Sequence, residues 1–530
     1  MTAVSLSRRQ LLELASALGV TSSGALLLPR LARATAAQGT PAPEPVGSVS
    51  WAINSDPVSL VPYGSSSTSN MWGKEFIYDS LLEWDRDLNI QPALAESYEA
   101  APDATSYLFH LRQGVTFHDG RPMRAADVKY SLDLTLEPLP PVVASPYLAN
   151  VAEVVVVDDA TVRIDMSKPD PTLPGILAWQ RLTPIFPEGI ADEINLLNEG
   201  IGTGPFKLLE YVSNERLDYE AFPDFWKPGI PCIQRLTMPI VPEEQSRVAL
   251  LRSGEIDGGT FSADVVASLE GDENFEVLSG LTSAPRTIYI NMAKDVPWRD
   301  ARVRQAVSKT IDRQVIIDNV YAGNSELTGP IPPGYGDWPL SQDELAEHYK
   351  VDVEGARALM AEAGLEDGFP VTLIAISAPR EYTQIAEIMA EQLKQINIDV
   401  SVEPQEIGTF VESINSEFEW ASTGGGMRGD PSGYFSVFRS ADEGTFAITY
   451  GDGWKSDELD QLYDQALATT DQAERHDLYR QLQELVLEEN PYLYTVQPYK
   501  FQVVNKRLTG MYVAYTDFHT GLRQACVAGA

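Results

Sequence analysis

At 530 residues the chain is several times longer than one ordinary domain, and 44% hydrophobic content allows a large buried core, which excludes wholesale disorder. Its 76 acidic residues against 39 basic ones give a net charge of −37, which repels phosphate backbones and anionic lipid and excludes nucleic acid as a partner. The two cysteines, Cys232 and Cys526, have no CxxC-type spacing and cannot build a thiolate metal site; in an exported chain they are either a disulfide or two buried thiols.

The first elements are an address rather than a fold. Ser7-Arg8-Arg9-Gln10-Leu11-Leu12 is a twin-arginine pattern, followed by a moderately apolar run through Leu28 and small residues that offer A-x-A cleavage sites after Ala34 or Ala36. Residues 1–36 are therefore predicted to be a twin-arginine signal peptide, and 37–47, rich in Ala, Pro and Gly, a flexible leader. No cysteine follows that could carry a lipid, so the mature chain is expected to be periplasmic or extracytoplasmic without a cysteine-linked anchor.

Alternation over residues 48–53 predicts the first strand. Asp85, Asp87, Asn89 and Glu96 fall on the ligand spacing of an EF-hand loop, but Ile90 stands where the sharp turn needs glycine and Pro92 follows. That segment is read as a β-turn over 85–89 leading to a helix that starts near Ala93, with no metal. Two branched runs, 154–157 and 161–166, flank Asp158-Asp159-Ala160 as a β-hairpin, and Gly202-Thr203-Gly204-Pro205 turns into a strand over 206–211. Asp300 caps a predicted helix over 301–310, and Asp352 caps one that ends near Ala363 with Gly364 after it. Ile385, Ile388, Met389 and Leu393 line one face of a helix over 382–396, and Asp471 to Glu474 reads as a capping box for a helix that stops at Asn490-Pro491. Strand and helix signals mix throughout, which favours an α/β class.

Catalytic motifs are missing: the chain contains no GxSxG, SxxK, HExxH or GxxxxGK[ST]. His110, His118, His348, His476 and His519 are scattered, without the i, i+4 spacing of a metal pair, so neither a metal nor a cofactor is expected and the chain does not read as an enzyme. The most permissive segments are 65–70 followed by Trp72, and Gly424-Gly425-Gly426-Met427-Arg428-Gly429-Asp430-Pro431, where glycines let a ligand approach the backbone. Asn70, Trp72 and residues 424–430 are the candidate ligand contacts on composition.

Several blocks resemble the extracellular solute-binding proteins of family 5, the peptide/nickel type. They are Tyr78 to Leu82, Gln91 to Tyr98, Leu111 to Gly120 with Ala126-Asp127-Val128, Gly202 to Phe206, Gly254 to Asp257, Val303 to Ala306 with Ile311-Asp312-Arg313, and Asp430-Pro431. The resemblance implies a two-lobed periplasmic-binding-protein clamp (type II, cluster C-like) with an additional domain. By that analogy the base lobe combines 48–82, 199–283 and 498–530, the additional domain is 83–198, and the second lobe is 284–497; both cysteines then share the base lobe. It further implies capture of a small or medium solute and delivery to an ABC permease, by a monomer. Arg380-Glu381-Tyr382 matches the R-x-Y pair of dipeptide-binding relatives, in which the arginine takes the ligand carboxylate. The aspartate that holds a peptide amine in such relatives is Met427 here, leaving Arg428 and Asp430 as the nearby charges. A peptide or peptide-like ligand and an oligosaccharide or other neutral solute therefore both stand at this point, with a secreted hydrolase as the remote alternative.

Overall fold

The computed structural model describes residues 44–57, 59–63, 68–137, 147–180, 182–269, 271–440, 454–516 and 519–529. The twin-arginine segment, the leader up to residue 43 and Ser65 to Ser67 lie outside the described residues.

The first strand, Val46–Ala52, begins inside the predicted leader: Val46 donates its N–H to the Cys232 carbonyl and pairs with Ile233. It runs parallel to both of its neighbours in an eight-stranded sheet. The order is Phe275–Leu281, Val496–Asn505, Gly258–Phe261, Val46–Ala52, Ile233–Pro239, Arg216–Ala221 and Phe206–Val212, with Ser325–Leu327 joined to Val496–Asn505. Gly258 is obligatory in that sheet, because a Cβ there would lie 2.5 Å from the ring of the fully buried Trp51. A separate two-stranded sheet pairs Leu508–Thr509 with Cys526–Val527, and Cys526 is joined to Cys232 by a disulfide with the Cα atoms 4.9 Å apart.

A second sheet, ordered Ile398–Gln405, Phe369–Ile376, Trp420–Gly424, Arg286–Ile290 and Tyr492–Tyr494, is wrapped by capped helices. The Asp300 side chain accepts from Arg302 N–H at the start of Ala301–Thr310, Asp352 from Gly355 N–H before Val353–Glu362, and Asp471 from Glu474 N–H before Gln472–Glu489. Gly364 follows the second of these at φ +72° and Asn490 ends the third at φ 47°. Glu474 does not complete a reciprocal box; Thr469 Oγ1 donates to it instead.

A third sheet is a four-stranded antiparallel meander-like layer, Ala95–Ala100, Ser106–Leu111, Thr161–Met166 and Val151–Asp158, which contains the predicted hairpin. Here one expectation fails. The Asp85 turn forms, with Asp85 Oδ1 accepting from the N–H groups of Asp87 and Asn89, but no helix starts near Ala93. Ala93 and Ala95 instead donate to the Leu81 carbonyl and Arg112 N–H donates to the Leu94 carbonyl, so the segment continues as strand Ala95–Ala100. Helix propensity loses there to backbone pairing with distant segments.

The first two sheets are connected by crossovers that lie side by side. One is 282–285, between Phe275–Leu281 and Arg286–Ile290; the other is the step from Tyr492–Tyr494 to Val496–Asn505. Thr495 N–H donates to the Arg286 carbonyl at 3.0 Å, Thr282 N–H donates to the Pro498 carbonyl, and the Gln497 amide donates to the Thr282 carbonyl.

Candidate ligand site

The glycine-rich segment leaves the second sheet at Gly424 and returns as the turn Pro431–Tyr434. Below it, residues of Arg286–Ile290 alternate between two faces. Pro285, Thr287 and Tyr289 face a small cavity of about 40 Å³, and the paired strand adds Tyr494 opposite Thr287 and Tyr492 opposite Tyr289. The rings of Tyr289 and Tyr492 stack at 4.3 Å. Gly425, Gly426, Arg428, Gly433 and Tyr434 close the cavity from above. None of the described residues lining it is acidic.

The other face of the same strand carries Arg286, which the sequence reading missed. It is buried, its Nε donates to Glu381 Oε1 at 2.9 Å, and its guanidinium lies 4.9 Å from the centre of the Tyr382 ring. Burial opposes the charge, but Tyr382 and Glu381 hold its pKa above the ordinary arginine value. A Cβ on Gly424 would lie 2.8 Å from Tyr382 Oη, so this position must be small for the loop to rest on Tyr382. Of the R-x-Y triplet, then, Tyr382 and Glu381 meet the glycine loop through Arg286. Arg380 itself is exposed at the N-cap of Glu381–Leu393 and lines none of the cavities described here.

The charges of the loop have different fates. Both Asp430 carboxylate oxygens accept from Arg475 Nη2 at 2.8 Å, and Oδ1 also caps Ser432 N–H at 2.9 Å. Met427 is 4% exposed and belongs to the main apolar core. Arg428 is of intermediate exposure, but its Nε is buried and has no acceptor. Its Nη1 donates to Tyr147 Oη at 3.0 Å, and its backbone carbonyl accepts from Tyr335 Oη at 2.8 Å. Among the described residues no carboxylate pairs with it. Burial works against the Arg428 cation, while Tyr147, Tyr289 and Tyr434 hold its pKa above the usual value. The cavity also contains the Thr287 hydroxyl, buried and without a hydrogen-bond partner.

A larger cleft of about 900 Å³ opens beyond Tyr335, between Arg86, Tyr98 and Pro174 on one side and Trp338, Asp430 and Arg475 on the other. Across it the short helix Leu173–Leu177 touches the loop backbone to backbone: a Cβ on Gly175 would fall 2.0 Å from the Gly429 carbonyl oxygen. The two remaining candidates stand elsewhere. Asn70 and Trp72 are on helix Thr68–Lys74, where Asn70 is buried with its Oδ1 lacking a partner and Trp72 packs edge-on to His519 at 5.4 Å; neither lines these cavities.

The profile of the bacterial extracellular solute-binding proteins, family 5 Middle, matches residues 89–446. The chain belongs to that family. Among relatives of this family-5 protein, the glutathione-binding protein GsiB of Shigella dysenteriae serotype 1 (strain Sd197) is 26% identical over 483 residues, covering 87% of this chain and 91% of that one. The GsiB of Escherichia coli K12 is equally similar, with the same coverage. Of solved structures, the binding protein AgaA of A. tumefaciens R10 in complex with agropinic acid superimposes with a TM-score of 0.77 at 26% identity, covering 91% of this chain and 99% of that one. The dipeptide-binding protein of Pseudoalteromonas sp. SM9913 in complex with Met-Leu superimposes at 0.74 with 24% identity and 91% and 100% coverage, which shows the shared fold. The fold is thus the α/β two-lobed clamp of periplasmic binding proteins, and this family-5 protein is an extracytoplasmic solute-binding protein.

Proposed function

We propose that this protein captures a peptide or peptide-like solute in the cleft between its lobes and delivers it to an ABC permease, changing no covalent bond in it. The observation that carries the reading is the cavity under the glycine loop. It has a sheet floor of Thr287, Tyr289, Tyr492 and Tyr494 and a backbone-rich roof at 425–426, and the larger cleft beside it is bridged by the contact of Gly175 with Gly429. Tyrosines present flat apolar area and a hydroxyl at low conformational cost, which suits a ligand of mixed polarity. The relatives at 26% identity support the class, since one is named for glutathione, a tripeptide, and the other holds an organic acid.

In this reading the eight-stranded sheet is the core of the base lobe formed by 48–82, 199–283 and 498–530. The four-stranded sheet belongs to the additional domain, 83–198, and the Tyr289 sheet to the second lobe, 284–497. The ligand favours the closed arrangement by touching both sides at once, and that difference in affinity drives closure. The monomer is the working form, and residues 1–36 direct export by the twin-arginine route. Native mass spectrometry of the mature protein, before and after mild unfolding, tests the proposal. A released species with the fragmentation of a peptide supports it; a released sugar replaces it with the neutral-solute alternative.

A further inference from the structure

We propose that the solute is anchored by a carboxylate received by Arg428, and that the anchored end carries no ammonium group. This deepens the solute-capture reading and rests on it. Two of the cations beside the glycine loop are neutralised by described carboxylates: Arg286 by Glu381 and Arg475 by Asp430. Among the described residues, the Arg428 guanidinium bonds to the Tyr147 hydroxyl through Nη1, its buried Nε–H has no acceptor, and no carboxylate pairs with it.

A guanidinium with a buried, unsatisfied N–H and no described anion beside it is unfavourable, and an entering carboxylate relieves that cost with charge-assisted hydrogen bonds. The Thr287 hydroxyl, buried in the same cavity with no partner, is a second donor for the same group. The cavity is small, about 40 Å³, which suits a compact end group such as a carboxylate rather than the whole solute. An ammonium there would meet Arg428 and find no counter-ion, because the described lining contains no acid and both oxygens of Asp430 are held by Arg475. The site therefore selects for charge sign before it selects for shape. Solutes with a free acid and a blocked or distant amine fit; a free α-amine seated at this end does not.

The test uses the mature protein freed of co-purified solute and three probes: N-acetyl-Ala-Ala-Ala, Ala-Ala-Ala, and Ala-Ala-Ala amide. Calorimetric titration is expected to show Ala-Ala-Ala binding at least about tenfold tighter than its amide, the range of one charge-assisted bond, and N-acetyl-Ala-Ala-Ala binding at least as tightly as Ala-Ala-Ala. Arg428→Met should abolish that preference and raise the melting temperature of the unliganded protein, since it removes an unpaired cation. Arg428→Lys, which keeps the charge, should retain part of the preference. Tighter binding of the amide than of the acid, or an acid preference that survives Arg428→Met, overturns the anchor while leaving peptide capture standing. Failure of all three probes to bind overturns both.

Discussion

Gly175 is the position where a single methyl group should separate closure from folding. In the structure a Cβ there would lie 2.0 Å from the Gly429 carbonyl oxygen and 3.1 Å from its carbonyl carbon, whereas ordinary contact begins near 3.4 Å. Gly175→Ala must therefore push helix Leu173–Leu177 and the glycine loop apart by more than 1 Å, and both partners are backbone that cannot rotate away. One bond next to that contact is Tyr147 Oη to Arg428 Nη1, now 3.0 Å, because Arg428 precedes Gly429; a shift of the loop by more than 1 Å should stretch it out of hydrogen-bonding range. Losing one hydrogen bond to a charged group removes about 1.5–3 kcal/mol from the closed state, roughly a 10- to 150-fold weaker dissociation constant. The assay pairs calorimetric titration of the co-purified solute with small-angle X-ray scattering with and without it; circular dichroism confirms the fold. The wild type should contract on binding and Gly175→Ala should contract less. An unchanged dissociation constant and full contraction would refute the claim that this backbone contact belongs to the closed clamp.

Other outcomes follow from individual residues. His118 is buried and neutral: its Nε2–H donates to the Gly204 carbonyl at 2.9 Å, and burial lowers its pKa to about 4. With an unfolded value near 6.5, its contribution is intact above that pH and falls away as pH drops towards 4, by about 3 kcal/mol in all; melting curves across that window should be flatter for His118→Gln than for wild type. Asp430→Asn should cost about 3–5 kcal/mol in urea unfolding because it strands the buried Arg475, and a loss below about 1 kcal/mol would show that this pair is dispensable. Arg380→Ala, at an exposed position, should weaken the co-purified solute by less than about 1 kcal/mol; a larger loss in titration would move the carboxylate clamp to Arg380.

What was legible in the sequence was local. The caps at Asp300, Asp352 and Asp471 bond to N–H groups two or three residues away, so their signal and their partner sit in one short window. The hairpin through Asp158 is local for the same reason. Ala93 fails because its fate is set by Leu81 and Leu94's by Arg112, neither of which a window around Pro92 contains. The glycine segment could be found from composition, but the fates of its charges could not. Whether Asp430 or Arg428 is spare depends on Arg475, which belongs to a different helix. The tyrosine floor could have been half seen: Thr287 and Tyr289 alternate in a strand-like run, yet only the register with Tyr492–Tyr494 brings the aromatic rings together.

The two crossovers at 282–285 and 495 have a mechanical meaning. Because they lie side by side and are stitched to each other, the sheets they join can swing about that seam but are poorly placed to slide or twist independently. The strands that leave the seam, Arg286–Ile290 and Tyr492–Tyr494, are also the floor under the solute. A solute in the proposed site therefore sits next to the fulcrum, where a given rotation moves atoms least, while the parts of each lobe farthest from the seam travel most. A small change in what occupies the floor is geared up into a large change of outline at the far edges, which is the part of the surface that a membrane partner can feel.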